Sequence, residues 1–150
     1  MFVGYIITKV GWLQLCADAC NLLSCTFVEE KGIENRNPII EEAINQLEEY
    51  FDGKRFKFDL PLKLEGTEFQ MKVWKALMEI PYGKTCSYLD IACAIDNPKA
   101  CRAVGNANNK NKIAIIIPCH RVIGKNKKMV GYASGIEKKQ ALLTLEILNC

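Results

Sequence analysis

A cysteine and the only histidine of the chain stand side by side, at positions 119 and 120. Cysteine attacks an electrophile as the thiolate, so a nucleophilic Cys119 needs a base or a positive charge close to it. His120 can act as that base directly or through one water molecule, and a histidine base needs an acceptor for its other ring nitrogen. Glu146 is a candidate acceptor because its neighbours over 142–148 are mostly apolar, although such a glutamate usually lies on the exposed face of a helix. These residues predict a cysteine nucleophile for an electrophile that they do not identify.

The remaining cysteines predict neither a disulfide framework nor a metal centre. The chain has eight, about 5% of its residues and below the ~8–10% that is typical of disulfide scaffolds. The first residues lack the basic stretch and apolar run of a secretion signal, so we expect reduced thiols and a cytoplasmic location. Cys16, Cys20 and Cys25 could supply three thiolates, but the single histidine removes the common Cys/His zinc patterns and we expect no metal.

Charge is divided unevenly along the chain. Residues 1–66 carry seven Lys/Arg and eleven Asp/Glu, whereas residues 67–150 carry thirteen and six. The basic second half leaves nucleic acid open as a partner, although a positive surface also simply keeps a protein in solution. The longest apolar run, Ile113–Ile117, is far shorter than the ~18 residues that predict a membrane span, so we expect no membrane partner.

The patterning predicts a two-part protein of α+β and α/β character. A short N-terminal α/β domain is expected over residues 1–62. Its elements are strands over 2–8, 12–17 and 25–28, the first two forming a hairpin, and a helix capped by Asn37 and ended by Asp52-Gly53.

The second part, residues 63–150, is predicted to be mostly helical. Thr67 and Gln70 form a capping-box pattern before a helix that must stop at Pro81. Two short helices over about 87–109 have helix-turn-helix spacing, which an ordinary helical corner shares. The continuous apolar run Ile113–Ile117 predicts a short buried strand leading to Cys119. A final helix is expected from about Ile136 to Leu148.

The second helix of that pair has an unusual composition, because small residues surround Arg102. Ala103 and Gly105 let a backbone approach a partner closely, and a lone arginine among them can project into that partner. The same residues would also suit close helix–helix packing, with Arg102 in solvent.

The segment Pro118-Cys119-His120-Arg121-Val122 resembles the active-site signature of the O6-alkylguanine-DNA alkyltransferases, also called methylated-DNA–protein-cysteine methyltransferases. The likeness covers about residues 64–147, and the N-terminal 60 residues resemble the family only loosely. The matching segments, in order, are Gly66–Gln70, Val73-Trp74, Ile80–Thr85, Ser87-Tyr88, Arg102–Ala107, Ile115–Ile117 and Gly131-Tyr132. The resemblance implies a DNA repair protein that takes the alkyl group of O6-alkylguanine irreversibly, once per molecule, without a cofactor. It leaves O4-alkylthymine open as a minor substrate.

The resemblance also implies the roles of individual residues in the reaction. Cys119 is the alkyl acceptor, His120 deprotonates it through a water molecule, and Glu146 hydrogen-bonds the histidine. Tyr88 hydrogen-bonds N3 of guanine as negative charge develops on the leaving base. Asn111 braces the turn beneath the helix-turn-helix and the active site.

Further matches concern the pocket and the DNA. Tyr132 and Ala133 belong to a loop that closes over the base, with the Ala133 amide facing O6, and the Val122 carbonyl accepts from the guanine amino group; Pro118 and Ser134 line the same pocket. Arg102 enters the base stack when the nucleotide is flipped out, and the second helix of the pair, with Ala103 and Gly105, docks in the minor groove. Ser87, at the start of the first helix of the pair, belongs to the same DNA-binding surface. We therefore expect a monomer that binds double-stranded DNA with little sequence preference and more weakly at high salt.

The chain departs from the family pattern at three positions. Lys112 and Ala114 replace prolines, which loosens the segment before Cys119. Ser134 stands where the family usually has glycine, so we expect weaker acceptance of bulky O6 substituents such as benzyl.

Two other functions remain open at this point. Non-covalent alkyltransferase-like lesion sensors lack the acceptor cysteine, and the presence of Cys119 argues against one. A thiol hydrolase normally takes its nucleophile and base from separate parts of the chain, and the sequence supplies no obvious oxyanion hole.

Overall fold

The computed structural model describes residues 1–124, 132 and 134–150. It divides into two compact units. Unit 1 comprises residues 1–64 with 112–114, and unit 2 comprises residues 65–111 with 115–150, of which 125–131 and 133 are outside the described residues. No helix in the described ranges is long and apolar enough to cross a membrane.

Unit 1 is a three-stranded antiparallel sheet covered by a helix. The strands β1 (Phe2–Thr8), β2 (Gly11–Ala17) and β3 (Leu22–Val28) pair in the order β1-β2-β3. Helix α1 (Pro38–Phe51) begins after Asn37, whose side chain accepts a hydrogen bond from the Ile40 amide at 3.0 Å. Gly4 is required where β1 meets this helix, because a Cβ there would overlap the Ile40 side chain. The predicted hairpin, third strand and helix are confirmed, with β3 beginning three residues before its predicted start.

Unit 2 is mostly helical, as predicted. Its elements in chain order are α2 (Glu68–Leu77), β4 (Cys86–Ser87), α3 (Tyr88–Ala94), α4 (Cys101–Asn109), a one-turn 3-10 helix (Cys119–Arg121), β5 (Val122–Ile123) and α5 (Ile136–Leu148). Strands β4 and β5 pair in parallel, with Cys86 opposite Val122.

Local capping signals set the starts of two of these helices. Thr67 and Gln70 form the expected reciprocal capping box at α2, and Ser87 forms one with Asp90 at α3. Helices α3 and α4 are the predicted pair of short helices. The Trp74 indole Nε1 donates to the Ala107 carbonyl at 2.8 Å and joins α2 to the C-terminal turn of α4.

The predicted strand over Ile113–Ile117 is wrong, although its residues are buried as expected. Only Ile113 forms a β-bridge, with Cys25, and the next residues form a turn in which Ile115 has φ of 72°. A β-branched residue is rarely found in this left-handed region, and a residue in this conformation cannot continue a β-strand. A continuous apolar run reports burial on all sides, which a buried turn provides as well as a strand does.

Candidate active site

The backbone of Cys119 is anchored from both sides in unit 2. Cys119 begins the one-turn 3-10 helix and is buried, with only 6% of its surface exposed. Its amide donates to the Ile117 carbonyl at 2.8 Å across Pro118, which closes a tight turn. Its carbonyl accepts from Asn108 Nδ2 at 3.3 Å. These two bonds hold the thiol-bearing residue without using its side chain.

Two asparagines link the end of α4 to this segment. Asn111 Nδ2 donates to the Ile117 carbonyl at 2.8 Å, the same oxygen that accepts from Cys119, and the Asn111 side chain also hydrogen-bonds the Cys119 thiol. Asn108 is buried within α4 itself. Sequence reasoning singled out Asn111 and missed Asn108, which lies one turn along the helix from the buried Val104 and next to Ala107 on its apolar face.

His120 and Glu146 form a fully buried pair. His120 Nε2 lies 2.6 Å from Glu146 Oε2. An ionised carboxylate only accepts hydrogen bonds, so Nε2 carries a proton, and in the neutral imidazole Nδ1 then keeps its lone pair. Among the residues that the structure describes, His120 Nδ1 has no hydrogen-bond partner. The imidazole therefore has the tautomer of a base whose accepting nitrogen is available.

Glu146 is the centre of a larger buried network. Its Oε1 accepts from Arg121 Nε at 2.8 Å and from the Gly83 amide at 3.2 Å, and Oε2 accepts from Arg121 Nη2 at 3.0 Å as well as from His120. Burial opposes ionisation of this carboxyl, but the hydrogen bonds and charges of His120 and Arg121 outweigh it and lower the pKa of Glu146 to about 2. Glu146 is thus a charged residue of the interior and not of the exposed helix face.

The environment favours neutral forms of Cys119 and His120. Burial raises the pKa of the Cys119 thiol, against the opposing effects of Asn111, Lys139 and Tyr132. Burial also lowers the pKa of His120, and Arg121 and Lys139 lower it further, while Glu146 acts in the opposite direction. A thiol beside a neutral imidazole cannot react as a thiolate until the proton is moved, and the imidazole is the group able to take it.

Lys139 is a part of the site that sequence reasoning missed. Its side chain has no exposed surface, and burial lowers its pKa to about 8 against the opposing effect of Cys119. The sequence does contain a signal for it. The buried residues of α5 are Lys139, Leu142, Leu143 and Glu146, the spacing of one helix face, so a lysine and a glutamate occupy two core positions of an amphipathic helix.

We expect Lys139→Met to raise the pKa of the Cys119 thiol by about one unit, because it removes a nearby positive charge. The rate of Cys119 alkylation by iodoacetamide, followed by peptide mass spectrometry as a function of pH, measures this shift. Lys138→Met deletes the same charge from the preceding residue and serves as the matched control. A pH profile that is the same in all three proteins would show that Lys139 does not act on the thiol.

The structure also places the other residues singled out by sequence. Tyr88 is the first residue of α3; burial and then the proximity of Cys119 raise its pKa. Tyr132 is buried, and its side chain acts to lower the pKa of the Cys119 thiol. Pro118 and Val122 are buried on either side of the 3-10 helix, and Ser134 is half-buried. Ala133 and Gly131 lie outside the described residues.

Helix α4 separates its residues into two faces. Arg102 and Ala103 are exposed, whereas Val104 and Ala107 are buried towards the rest of unit 2. Gly105 is half-buried, and a Cβ there would come within 3.8 Å of the Tyr88 ring. Ser87 caps α3. Arg102 and Ala103 therefore share the exposed face of α4, while Ala107 packs against the interior of unit 2.

The three cysteines of unit 1 differ in exposure. Cys25 is buried, Cys16 half-buried and Cys20 exposed. Within residues 1–124, 132 and 134–150, no three His, Cys, Asp or Glu side chains are placed to hold a metal ion.

Two family models match the chain and together span most of it. Residues 1–64 match the ribonuclease-like domain of 6-O-methylguanine DNA methyltransferase, and residues 68–147 match the DNA-binding domain of the same family.

Full-length relatives and solved structures agree with these matches. The methylated-DNA–protein-cysteine methyltransferase of Methanosarcina mazei is 60% identical over 157 residues, which covers 99% of each protein. The crystal structure of the Mycobacterium tuberculosis O6-methylguanine methyltransferase superposes with a TM-score of 0.90 at 43% identity, covering 99% of this chain and 94% of that one. A structure of the mycobacterial protein OGT in complex with DNA also gives a TM-score of 0.90, at 44% identity over 97% of this chain and 92% of that one.

Proposed function

Because the chain belongs to the 6-O-methylguanine DNA methyltransferase family, we propose that its Cys119 is the residue that accepts the alkyl group of O6-alkylguanine in DNA. The protein is a methyltransferase that repairs DNA, and DNA is its partner. The observation that carries the assignment to Cys119 is its position beside the buried His120–Glu146 pair, whose imidazole has an available Nδ1. The product is a thioether, a poor leaving group, so each molecule acts once.

The residues suggest how the transfer proceeds. His120 Nδ1 takes the proton of the Cys119 thiol, directly or through one water molecule, and Glu146 stabilises the imidazolium that forms. The thiolate attacks the alkyl carbon in line with the bond to O6; the new C–S bond forms as the C–O bond breaks. The electron pair of that bond passes to guanine, and the Tyr88 hydroxyl donates a hydrogen bond to N3 as the charge develops.

The pocket for the extruded base is assigned to residues around Cys119. The Val122 carbonyl accepts from the guanine amino group, and Pro118, Tyr132 and Ser134 contribute walls. The burial of Pro118, Val122 and Tyr132 next to the thiol supports this placement. The Ala133 amide, which is assigned to O6, belongs to a residue outside the described ranges.

DNA docks through the exposed face of α4 in the minor groove, with Arg102 filling the space that the flipped nucleotide leaves. Exposure of Arg102 and Ala103 on one face of that helix supports this assignment, and Ser87 with Gly105 belongs to the same interface. The protein acts as a cytoplasmic monomer on double-stranded DNA of any sequence. The catalytic domain is residues 63–150, and residues 1–62 form the short α/β domain.

The test is the intact mass of the protein after incubation with a duplex that contains one O6-methylguanine. Covalent transfer adds about 14 Da, one CH2 unit, to each molecule and no more with excess DNA. A protein that binds the lesion tightly without any mass gain would instead be a non-covalent lesion sensor. More than one methyl group released per molecule would contradict the single-turnover mechanism.

We expect Ser134→Gly to increase the rate of debenzylation of O6-benzylguanine about tenfold while changing demethylation little, because removing the hydroxymethyl group widens the pocket by an amount comparable to one methylene. Single-turnover rates with matched methyl- and benzyl-guanine duplexes measure the two reactions. A Ser134→Ala variant removes only the hydroxyl and so separates the effect of side-chain size from that of polarity. Equal benzyl-to-methyl rate ratios in the parent and the glycine variant would show that Ser134 does not limit the size of the substrate.

A further inference from the structure

Arg121 donates three hydrogen bonds inside the site, and the transfer described above gives it no role. Its guanidinium is buried and donates from Nε and Nη2 to the two oxygens of Glu146, at 2.8 and 3.0 Å. Nη1 donates to the Ile80 carbonyl at 2.7 Å, and the guanidinium carbon lies 5.7 Å from the centre of the Tyr82 ring. The Glu146 carboxylate, the Ile80 carbonyl and the Tyr82 ring therefore hold the guanidinium in one orientation.

The carboxylate that Arg121 binds is the same one that His120 needs. A buried carboxylate whose only cationic partner is histidine favours the imidazolium, because the ion pair then neutralises its charge. An imidazolium has protons on both nitrogens and cannot accept the proton of a neighbouring thiol. A guanidinium stays charged at every pH that a protein meets, so it neutralises the carboxylate without using the histidine proton.

We propose that Arg121 is a positioning residue that satisfies the charge of Glu146 and thereby keeps His120 neutral, protonated on Nε2 and free to accept at Nδ1. The inference rests on the proposed function for its purpose, since a neutral base is needed to activate Cys119. The assignment itself concerns only the protonation of His120.

The groups around the imidazole are consistent with this assignment. In the 3-10 helix, Cys119 precedes His120 and Arg121 follows it, and α5 contributes Glu146 and Lys139. Helix α2 also packs against this segment, and its buried residues are Val73, Trp74 and Leu77, none of which is charged. Arg121 and Lys139 lower the pKa of His120 in addition to burial, and Glu146 raises it, so removing Arg121 shifts the balance towards the imidazolium.

The test is an NMR titration of the untagged, 15N-labelled protein, in which the imidazole signals arise from His120 alone because the chain has a single histidine. We expect a neutral imidazole protonated on Nε2 at neutral pH in the parent. In Arg121→Gln, which keeps N–H donors but not the charge, we expect the imidazole pKa to rise by about one unit or more. The acid limb of the alkyl-transfer rate against pH is expected to move by the same amount.

Two further variants separate charge from structure. Arg121→Lys restores the positive charge and is expected to keep the imidazole pKa close to that of the parent. Arg36→Met removes an arginine from unit 1, where Arg36 Nη2 lies 2.8 Å from Glu34 Oε2. This control is expected to leave the imidazole pKa of His120 unchanged. If Arg121→Gln does not fold, the parent and Arg121→Lys still test the proposal through the tautomer and the imidazole pKa.

The proposal is overturned by an imidazolium in the parent at neutral pH, by equal imidazole pKa values in the parent and Arg121→Gln, or by an Arg121→Lys shift as large as that of Arg121→Gln. Failure of the proposed function looks different. A parent that is never methylated but shows the expected His120 titrations would refute alkyl transfer and leave the role of Arg121 standing.

Discussion

Cys119→Ala is expected to abolish alkyl transfer completely while the protein stays folded and binds DNA as the parent does. The hydrogen bonds that anchor residue 119 use its amide and carbonyl, so they survive loss of the thiol. The nucleophile is then absent, and the base and the pocket cannot accept the alkyl group in its place. Truncation of a small buried side chain leaves a cavity of about one sulfur atom, which costs on the order of 1 kcal/mol.

Intact mass and peptide mapping measure the outcome after incubation with excess O6-methylguanine duplex. The parent gains about 14 Da on the peptide that carries residue 119, and Cys119→Ala gains nothing. Cys93→Ala is the matched control, since Cys93 is an exposed free thiol, and it is expected to be methylated as fully as the parent. Methyl groups found on any other cysteine of the Cys119→Ala protein would refute the assignment of the acceptor.

Glu146→Gln is expected to lower the rate of alkyl transfer by about 10²–10⁴-fold, the range of a lost general base. The glutamine amide can donate to His120 Nε2, which then becomes the accepting nitrogen and leaves the proton on Nδ1. The histidine would present the wrong nitrogen to the thiol. Single-turnover demethylation kinetics give the rate, and a Glu146→Gln variant as fast as the parent would show that the tautomer is irrelevant.

The same substitution is expected to destabilise the fold by about 3–5 kcal/mol, because it leaves the Arg121 guanidinium buried without its counter-charge. Thermal or denaturant unfolding at neutral pH measures the difference from the parent. Gln140→Glu, on the exposed face of α5, is a control that changes a similar group without touching the network. A loss of activity together with unchanged stability would mean that Arg121 finds other acceptors.

Acid unfolding tests the charge of Glu146 directly. Its pKa in the folded protein, about 2, lies below the ordinary value of 4.5, so the ionised form stabilises the fold above about pH 4.5 and this stabilisation is lost as the pH falls towards 2. This lowering of the pKa corresponds to roughly 3 kcal/mol of folding stability. Solvent screens the charge little because the Glu146 side chain is fully buried. Glu146→Gln should lack this part of the acid dependence. Glu34 has a similarly lowered pKa, and its contribution is common to both proteins and cancels in the comparison.

Local signals in the sequence were sufficient for most of the secondary structure. The caps at Asn37, Thr67 and Ser87 lie at the helix starts that the sequence predicted, since a cap acts within one helical turn. The apolar run Ile113–Ile117 is the exception. It contains no residue that requires a turn, and the left-handed backbone of Ile115 depends on contacts made elsewhere in the fold.

The family and the proposed reactive pair follow from the sequence alone, because Cys119 and His120 are adjacent and the signature around them is contiguous. Which charges surround this pair depends on how distant parts of the chain pack together. Glu146 is 26 positions from His120, and the Ile80 carbonyl that holds Arg121 is 41 positions from it. Periodicity places a residue on a helix face but not against a particular partner, so whether Glu146 and Lys139 lie in solvent or in the interior depends on how the helices pack.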